Sequence, residues 1–255
     1  METALDLGRL LLHYQPVVGI DNGPVGMEAL IRMDHPERGL LSPAAFASDL
    51  DAPRLARRIG CFVLDTALTQ TQTWHRQGLA LRIAVNISAC HLMDQHFLSD
   101  LQAALAAHPD LPPSSIEIEV TETAPLLDFD KAGETLLACN RMGVLIALDD
   151  FGTGNSSLTY LQKLPAQTIK IDQSFVRDIL NDSRDIAIVT GVIKTAHMLG
   201  IEVVAEGVKT QRHAELLRKM GCTFLQGYWI ARPMPAAQIP GWIAGFQPTL
   251  SGAFR

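Results

Sequence analysis

Val144-Leu-Ile-Ala-Leu-Asp149-Asp150-Phe-Gly152-Thr-Gly154-Asn155-Ser156-Ser157 holds a complete structural unit. An apolar run of strand length stops at two adjacent carboxylates. A loop with two glycines follows, and serines open what reads as a helix. Buried strands do not normally end in paired acids, because like charges repel and each loses hydration. A cation is the usual compensation, so the pair reads as a divalent-metal site. An acidic residue capping the following helix is the competing reading. On composition alone the two stand level.

Working outward, the same strand-then-helix unit recurs on both sides. Strands are expected at Leu81–Ser88, Ile116–Glu122, Val144–Asp150, Thr168–Asp172, Glu202–Glu206 and Cys222–Gln226. Between and after them, helical spacing marks Asp94–Ala107, Lys131–Met142, Ser157–Lys163, Ser183–Leu199, Gln211–Met220 and Pro235–Gly245. Gly143, Gly200 and Gly221 stand behind three of these helices, where a left-handed cap is needed. Regular alternation implies a parallel sheet covered by helices.

The beginning of the chain breaks the pattern. Two strand-like runs, Leu10–Ile20 and Val25–Met33, are joined only by Asp21-Asn22-Gly23-Pro24. Asn-Gly between apolar runs predicts a hairpin, and so short a turn makes the pair antiparallel. A long helical region, roughly Pro43–Gln77, follows. The tally of eight strands suits a TIM (β/α)8 barrel with its first strand reversed. An open doubly wound sheet is the rival. No linker-like stretch divides the chain, which predicts one domain over residues 1–255.

Composition narrows the class. At 255 residues, 47% hydrophobic and 19% charged, the chain reads as a globular protein. No apolar run approaches the roughly 20 residues that cross a bilayer, and the N-terminus lacks the basic start of a secretory signal. A net charge of −6 argues against a duplex nucleic-acid surface. Cys61, Cys90, Cys139 and Cys222 are scattered and read as buried free thiols of a cytoplasmic protein. Neither they nor the eight histidines show zinc-type spacing.

Strand parity then places the polar residues. In Leu81–Ser88, Ile83, Val85 and Ile87 form one face, and Ala84, Asn86 and Ser88 the other. The same alternation sets Glu119, Asp149, Lys170 and Glu206 opposite apolar neighbours near their strands' C-terminal ends, and Gln226 closes the last strand. That end is where barrel active sites lie. Any one of these positions has an ordinary structural explanation, but six on matching parity do not arise by chance. Carboxylates with an amide oxygen, and no His or Cys, suit a hard cation such as Mg2+ or Mn2+. An Asp able to bridge suits two ions, the arrangement for in-line phosphodiester hydrolysis.

The motifs in order are Tyr14-Gln15-Pro16, Met27-Glu28-Ala-Leu-Ile-Arg32-Met33, Val85-Asn86-Ile87-Ser88, Glu119-Val-Thr-Glu122 and Asp149-Asp150-Phe-Gly-Thr-Gly154. Lys170-Ile-Asp172, Ala205-Glu206-Gly-Val208, Gln226-Gly-Tyr228 and Arg232-Pro233 complete the series. Together they resemble the EAL domain family of cyclic di-GMP phosphodiesterases, across nearly the whole chain. The resemblance implies a modified TIM barrel with an antiparallel first strand and metal-dependent hydrolysis of cyclic di-GMP to 5′-pGpG. It assigns Glu28, Asn86, Glu119 and Asp149 to one metal, with Asp149 bridging to a second held by Asp150. Glu206 and Lys170 would serve the attacking water or the phosphate. Glu122 would brace the loop after Asp150, and Gln15, Arg32 and Gln226 would contact the dinucleotide. A homodimer and an attached sensory domain are further family expectations.

The chain departs from the family at Asn155 (usually Tyr), Lys209 (usually Glu) and Gln167 (commonly Asp). Phe46–Asp51 also follows the family pattern only loosely. None of these removes an expected metal ligand. Asn155 and Lys209 keep a second reading open, a module that binds the dinucleotide without cutting it. An unrelated Mg2+-dependent barrel enzyme would require the whole motif series to be coincidence.

Overall fold

The computed structural model describes residues 1–20, 23–50, 52–121, 128–153 and 161–247. Among these residues ten strands form one sheet: β1 (Leu10–Gly19), β2 (Gly23–His35), β3 (Gly39–Leu41), β4 (Arg82–Asn86), β5 (Ile116–Thr121), β6 (Leu145–Phe151), β7 (Thr168–Ile171), β8 (Glu202–Ala205), β9 (Phe224–Leu225) and β10 (Met234–Pro235). From β2 the neighbours run β4, β5, β6, β7, β8, β9, each parallel to the next. β1 closes the ring by pairing with both β2 and β9, antiparallel to each. The result is a closed eight-stranded α/β barrel with one reversed strand, as the hairpin predicted, and the open sheet is excluded.

Two short strands lie outside the ring and escaped sequence reading. β3 folds back on the end of β2, and β10 lies along β1 opposite His13 and Tyr14. The expected helix Pro43–Gln77 is also broken up. A 3-10 turn at Pro43–Ala45 and a single turn at Ala47–Leu50 precede the true helix, Pro53–Arg76. Pro53 accounts for the break: its ring fits a first helical turn, where no N–H is needed, and disfavours helix before it. The start of the expected helix Ser157–Lys163 lies outside the described residues, as does the Asp21-Asn22 turn.

Helix Pro53–Arg76 buries Leu55, Ile59, Val63, Ala67 and Trp74 along one stripe against the sheet. On the helix-facing side of β4, β5 and β6, Ile83, Val85, Ile116, Ile118 and Ile146 are almost fully buried. Burial of such a side chain stabilises by roughly 1.5–3 kcal/mol, so this double apolar layer fixes the register that aims the other strand face inward. That inner face is polar at both ends. Near the strand starts, the Thr168 hydroxyl donates to buried Glu117, and Arg82 pairs with Glu117 and with Glu202 at 3.3 Å. Glu117 has the parity of Glu119, so strand alternation places it on the same inner face. Cys139 and Cys222 are buried as expected, but Cys61 and Cys90 are only half-buried; all four are free thiols. No helix among the described residues is long and apolar enough to cross a membrane.

Candidate active site

Lys170 is the centre of the upper layer. It projects inward from the short strand β7 and its side chain is 2% exposed. Its ammonium lies 2.8 Å from Glu119 Oε1, 2.8 Å from Glu206 Oε1, 3.3 Å from Asp149 Oδ1 and 3.4 Å from Glu28 Oε2. Each acid comes from a different strand or strand end, so the barrel's closure is what assembles them. Burial disfavours the lysine's charge, but the surrounding acids, Asp149 foremost, outweigh it and hold the ammonium well above its usual range.

Amide side chains tie the acids together. Asn86 Nδ2 donates to Glu28 Oε1 at 2.8 Å and to Glu119 Oε2 at 3.0 Å. Only the NH2 end of an amide can face two carboxylates, so Asn86 Oδ1 is left to accept, as a ligand oxygen must. Gln226 Nε2 donates to Glu28 Oε2 at 2.6 Å and to Gln15 Oε1 at 3.3 Å; Gln15 in turn donates to the Ala231 carbonyl. Gln226 Oε1 is buried with no partner among the described residues.

Asp150 reaches the mouth by a backbone irregularity. Simple alternation would point it away from Asp149. Between the pairs Leu148↔Ile169 and Phe151↔Ile171, β6 carries one residue more than β7, and Asp150 takes a left-handed φ of 52°. Its N–H donates to Asp149 Oδ1, while its carbonyl accepts from Thr153 Oγ1 at 2.8 Å. Asp149, Asp150 and Glu206 thereby offer carboxylate oxygens within 4.8 Å of one another.

The charge balance is unfinished. Four carboxylates contact one ammonium, with Asp150 alongside. Burial, reinforced by Glu28, pushes Glu119 well above the ordinary carboxylate range. Burial raises Asp149 as well. Glu206 is pushed up to about 8, chiefly by burial, and Asp150 to about 6, by burial and then Asp149. Only Glu28 is lowered, because Lys170 and the Gln226 and Asn86 amides overcome its burial. An all-oxygen donor set with excess negative charge fits hard divalent cations.

A cleft of about 350 Å³ opens above these acids. Gln15, Glu28, Asp149, Glu206 and Gln226 line it, with Leu30, Gln173, Lys209 and Tyr228 around them. Arg32 sits on the rim, half-buried, and feels Tyr228 and Glu28. Arg232 stacks on the Tyr228 ring, 4.3 Å from its centroid. The motif series contained Leu30 and Tyr228, but nothing in the sequence singled out Gln173. Gln167 replaces the family's common Asp by other means: its Oε1 accepts the Ile146 N–H at 2.9 Å and its Nε2 donates to the Pro165 carbonyl. Glu122 and Asn155 lie outside the described residues.

A family model described as the EAL domain matches residues 1–233. The chain belongs to the EAL domain family. This EAL domain is 42% identical over 246 residues to "Bifunctional diguanylate cyclase/cyclic di-GMP phosphodiesterase MucR" of Pseudomonas aeruginosa, covering 96% of the chain and 36% of that protein. It is 40% identical over 233 residues to "Cyclic di-GMP phosphodiesterase PA2567" of the same organism, covering 91% of the chain and 40% of the relative. The chain thus spans well under half the length of these relatives. Among solved structures, "PaMucR Phosphodiesterase, c-di-GMP complex" superposes with a TM-score of 0.88 at 41% identity, covering 93% of this EAL domain and 97% of that chain.

Proposed function

We propose that this EAL domain hydrolyses cyclic di-GMP to linear 5′-pGpG with two divalent cations, Mg2+ or Mn2+. The observation that carries the reading is the convergence of Glu28, Asn86, Glu119, Asp149 and Glu206 around Lys170, with Asp150 turned inward beside them. The named relatives supply the substrate class. Glu28, Asn86, Glu119 and Asp149 would hold one cation, and Asp149 with Asp150 the other. Bound there, the pair supplies Lewis-acid polarisation and neutralises phosphate charge.

The protein's own residues do the rest. Glu206 takes a proton from the attacking water. As the water oxygen bonds to phosphorus, the bond to the 3′ oxygen breaks and that oxygen is protonated, leaving a 5′-phosphate and a 3′-hydroxyl. Lys170 stabilises the charge on the phosphoryl oxygens. Gln15, Arg32 and Gln226 position the dinucleotide, and the unpartnered Gln226 Oε1 suits an N–H of a guanine. The domain acts as one unit over residues 1–255 in the cytoplasm, as a homodimer, coupled to a sensory domain in second-messenger signalling.

The deciding assay incubates purified protein with cyclic di-GMP and Mg2+ or Mn2+ and follows 5′-pGpG. Turnover is expected, with loss of about a thousandfold or more in Asp149→Asn and Glu28→Ala, on the scale of about 4 kcal/mol of barrier. The cationic Lys209 in the cleft favours the receptor reading. Tight binding without turnover across both metals would establish that reading instead.

A further inference from the structure

A second cluster lies among the outer helices of the barrel. Helix Pro53–Arg76, the single turn Ala89–Leu92 and helix Phe97–Ala106 meet there and contribute Cys61, His91 and Asp100. One ligand atom from each lies within 4.8 Å of the others. Cys61 Sγ is 3.5 Å from Asp100 Oδ2, and His91 Nε2 is 3.7 Å from the same oxygen. Bonds of about 2.0–2.3 Å place the ligand atoms of a tetrahedral site roughly 3.3–3.8 Å apart, so these two edges already fit.

His91 makes the cluster more than an ion pair with a thiol nearby. The residue is 1% exposed, and neither ring nitrogen has a hydrogen-bond partner among the described residues. Leaving such groups unsatisfied is costly, and folded proteins rarely do so. The ring is held in place nonetheless. It packs closely on Gly60, where a Cβ would come within 1.9 Å of Nδ1, and packs edge-on against Phe97. Burial keeps the imidazole neutral, the form a ligand needs. Arg57 grips Asp100 through both oxygens, at 2.7 and 2.9 Å, as an outer partner orients a metal-binding carboxylate. A reactive-cysteine role does not fit, because burial and Asp100 push the Cys61 thiol up to about 11.

We propose that Cys61, His91 and Asp100 form a site for a zinc-class transition-metal ion, with solvent in the fourth position at half-buried Cys61. Thiolate, imidazole and carboxylate together select such an ion over the hard cations suited to the mouth. Binding releases the Cys61 proton to solvent. All three ligands lie within or against the segment after β4, whose last residue is Asn86, so the ion clamps that segment to helix Pro53–Arg76. Sequence spacing hid the site, because its ligands sit on three separate elements.

The test keeps the full chain in excess Mg2+, which occupies the mouth, and titrates it with Co2+. A thiolate-to-cobalt charge-transfer band is expected, displaced by Zn2+, retained in Asp149→Asn and Cys90→Ser, and lost in Cys61→Ser and His91→Gln. Absence of the band in the unaltered protein, or its survival in Cys61→Ser, overturns the proposal. Alkylation of Cys61 gives a readout that does not depend on the His91 variant folding. Zn2+ should slow it about tenfold or more in the unaltered protein, by tying up the Cys61 sulfur, and far less in Asp100→Asn. Equal alkylation with and without Zn2+ also overturns it.

Discussion

Asp150 separates two contributions that a single substitution usually confounds. Its carboxylate belongs to the acidic mouth, while its backbone occupies a left-handed conformation that disfavours any residue with a Cβ. Asp150→Ala and Asp150→Gly both remove the carboxylate, but only glycine relieves the backbone. Urea denaturation should therefore find Asp150→Gly about 1 kcal/mol more stable than Asp150→Ala, with both equally depleted in turnover. Equal stability would mean that the left-handed turn carries no strain. The identity of the acids was legible from strand parity, which correctly faced Asn86, Glu119, Asp149, Lys170 and Glu206 into one space. The inward turn of Asp150 was not, because it depends on a register slip against β7 that no local pattern in β6 encodes.

Among the elements, one side chain adds to the backbone pairing of β6 with β7. Gln167 precedes β7, and its amide satisfies the Ile146 N–H while its backbone exchanges bonds with Ile146 and Glu202. Gln167→Ala leaves a buried N–H without a partner, at a cost of about 1–3 kcal/mol. A lowered urea midpoint is expected, with turnover per folded molecule preserved. If stability is unchanged, another group or a water satisfies that N–H. The strands and helices were readable because each keeps one period over several residues. β3, β10 and the turns before Pro53 were not, because they are too short to show a period and exist through their partners. The zinc-class cluster failed to register for the same reason: Cys61, His91 and Asp100 become neighbours only when three separate segments pack.

At the scale of the whole barrel, the mouth is a keystone with surplus charge. Eight strands converge on a ring where Lys170 neutralises only part of the acid surrounding it, so cations should stabilise the entire fold. At about 100 times its dissociation constant a bound ion contributes roughly 2.7 kcal/mol, a rise of about 5–10 °C in Tm for a chain of this size. Thermal melts in Mg2+ and in EDTA measure this directly, and Asp149→Asn should shrink the difference. An unchanged Tm would deny the mouth its cations. The surplus has a further consequence, for the salt response of ligand capture. Both phosphodiesters of cyclic di-GMP, the proposed substrate, are anionic, so in EDTA the bare mouth should repel it. Added monovalent salt screens that repulsion, and affinity should rise with ionic strength. With Mg2+ in place the sign reverses, towards the weakening by salt that governs most protein–nucleic acid contacts.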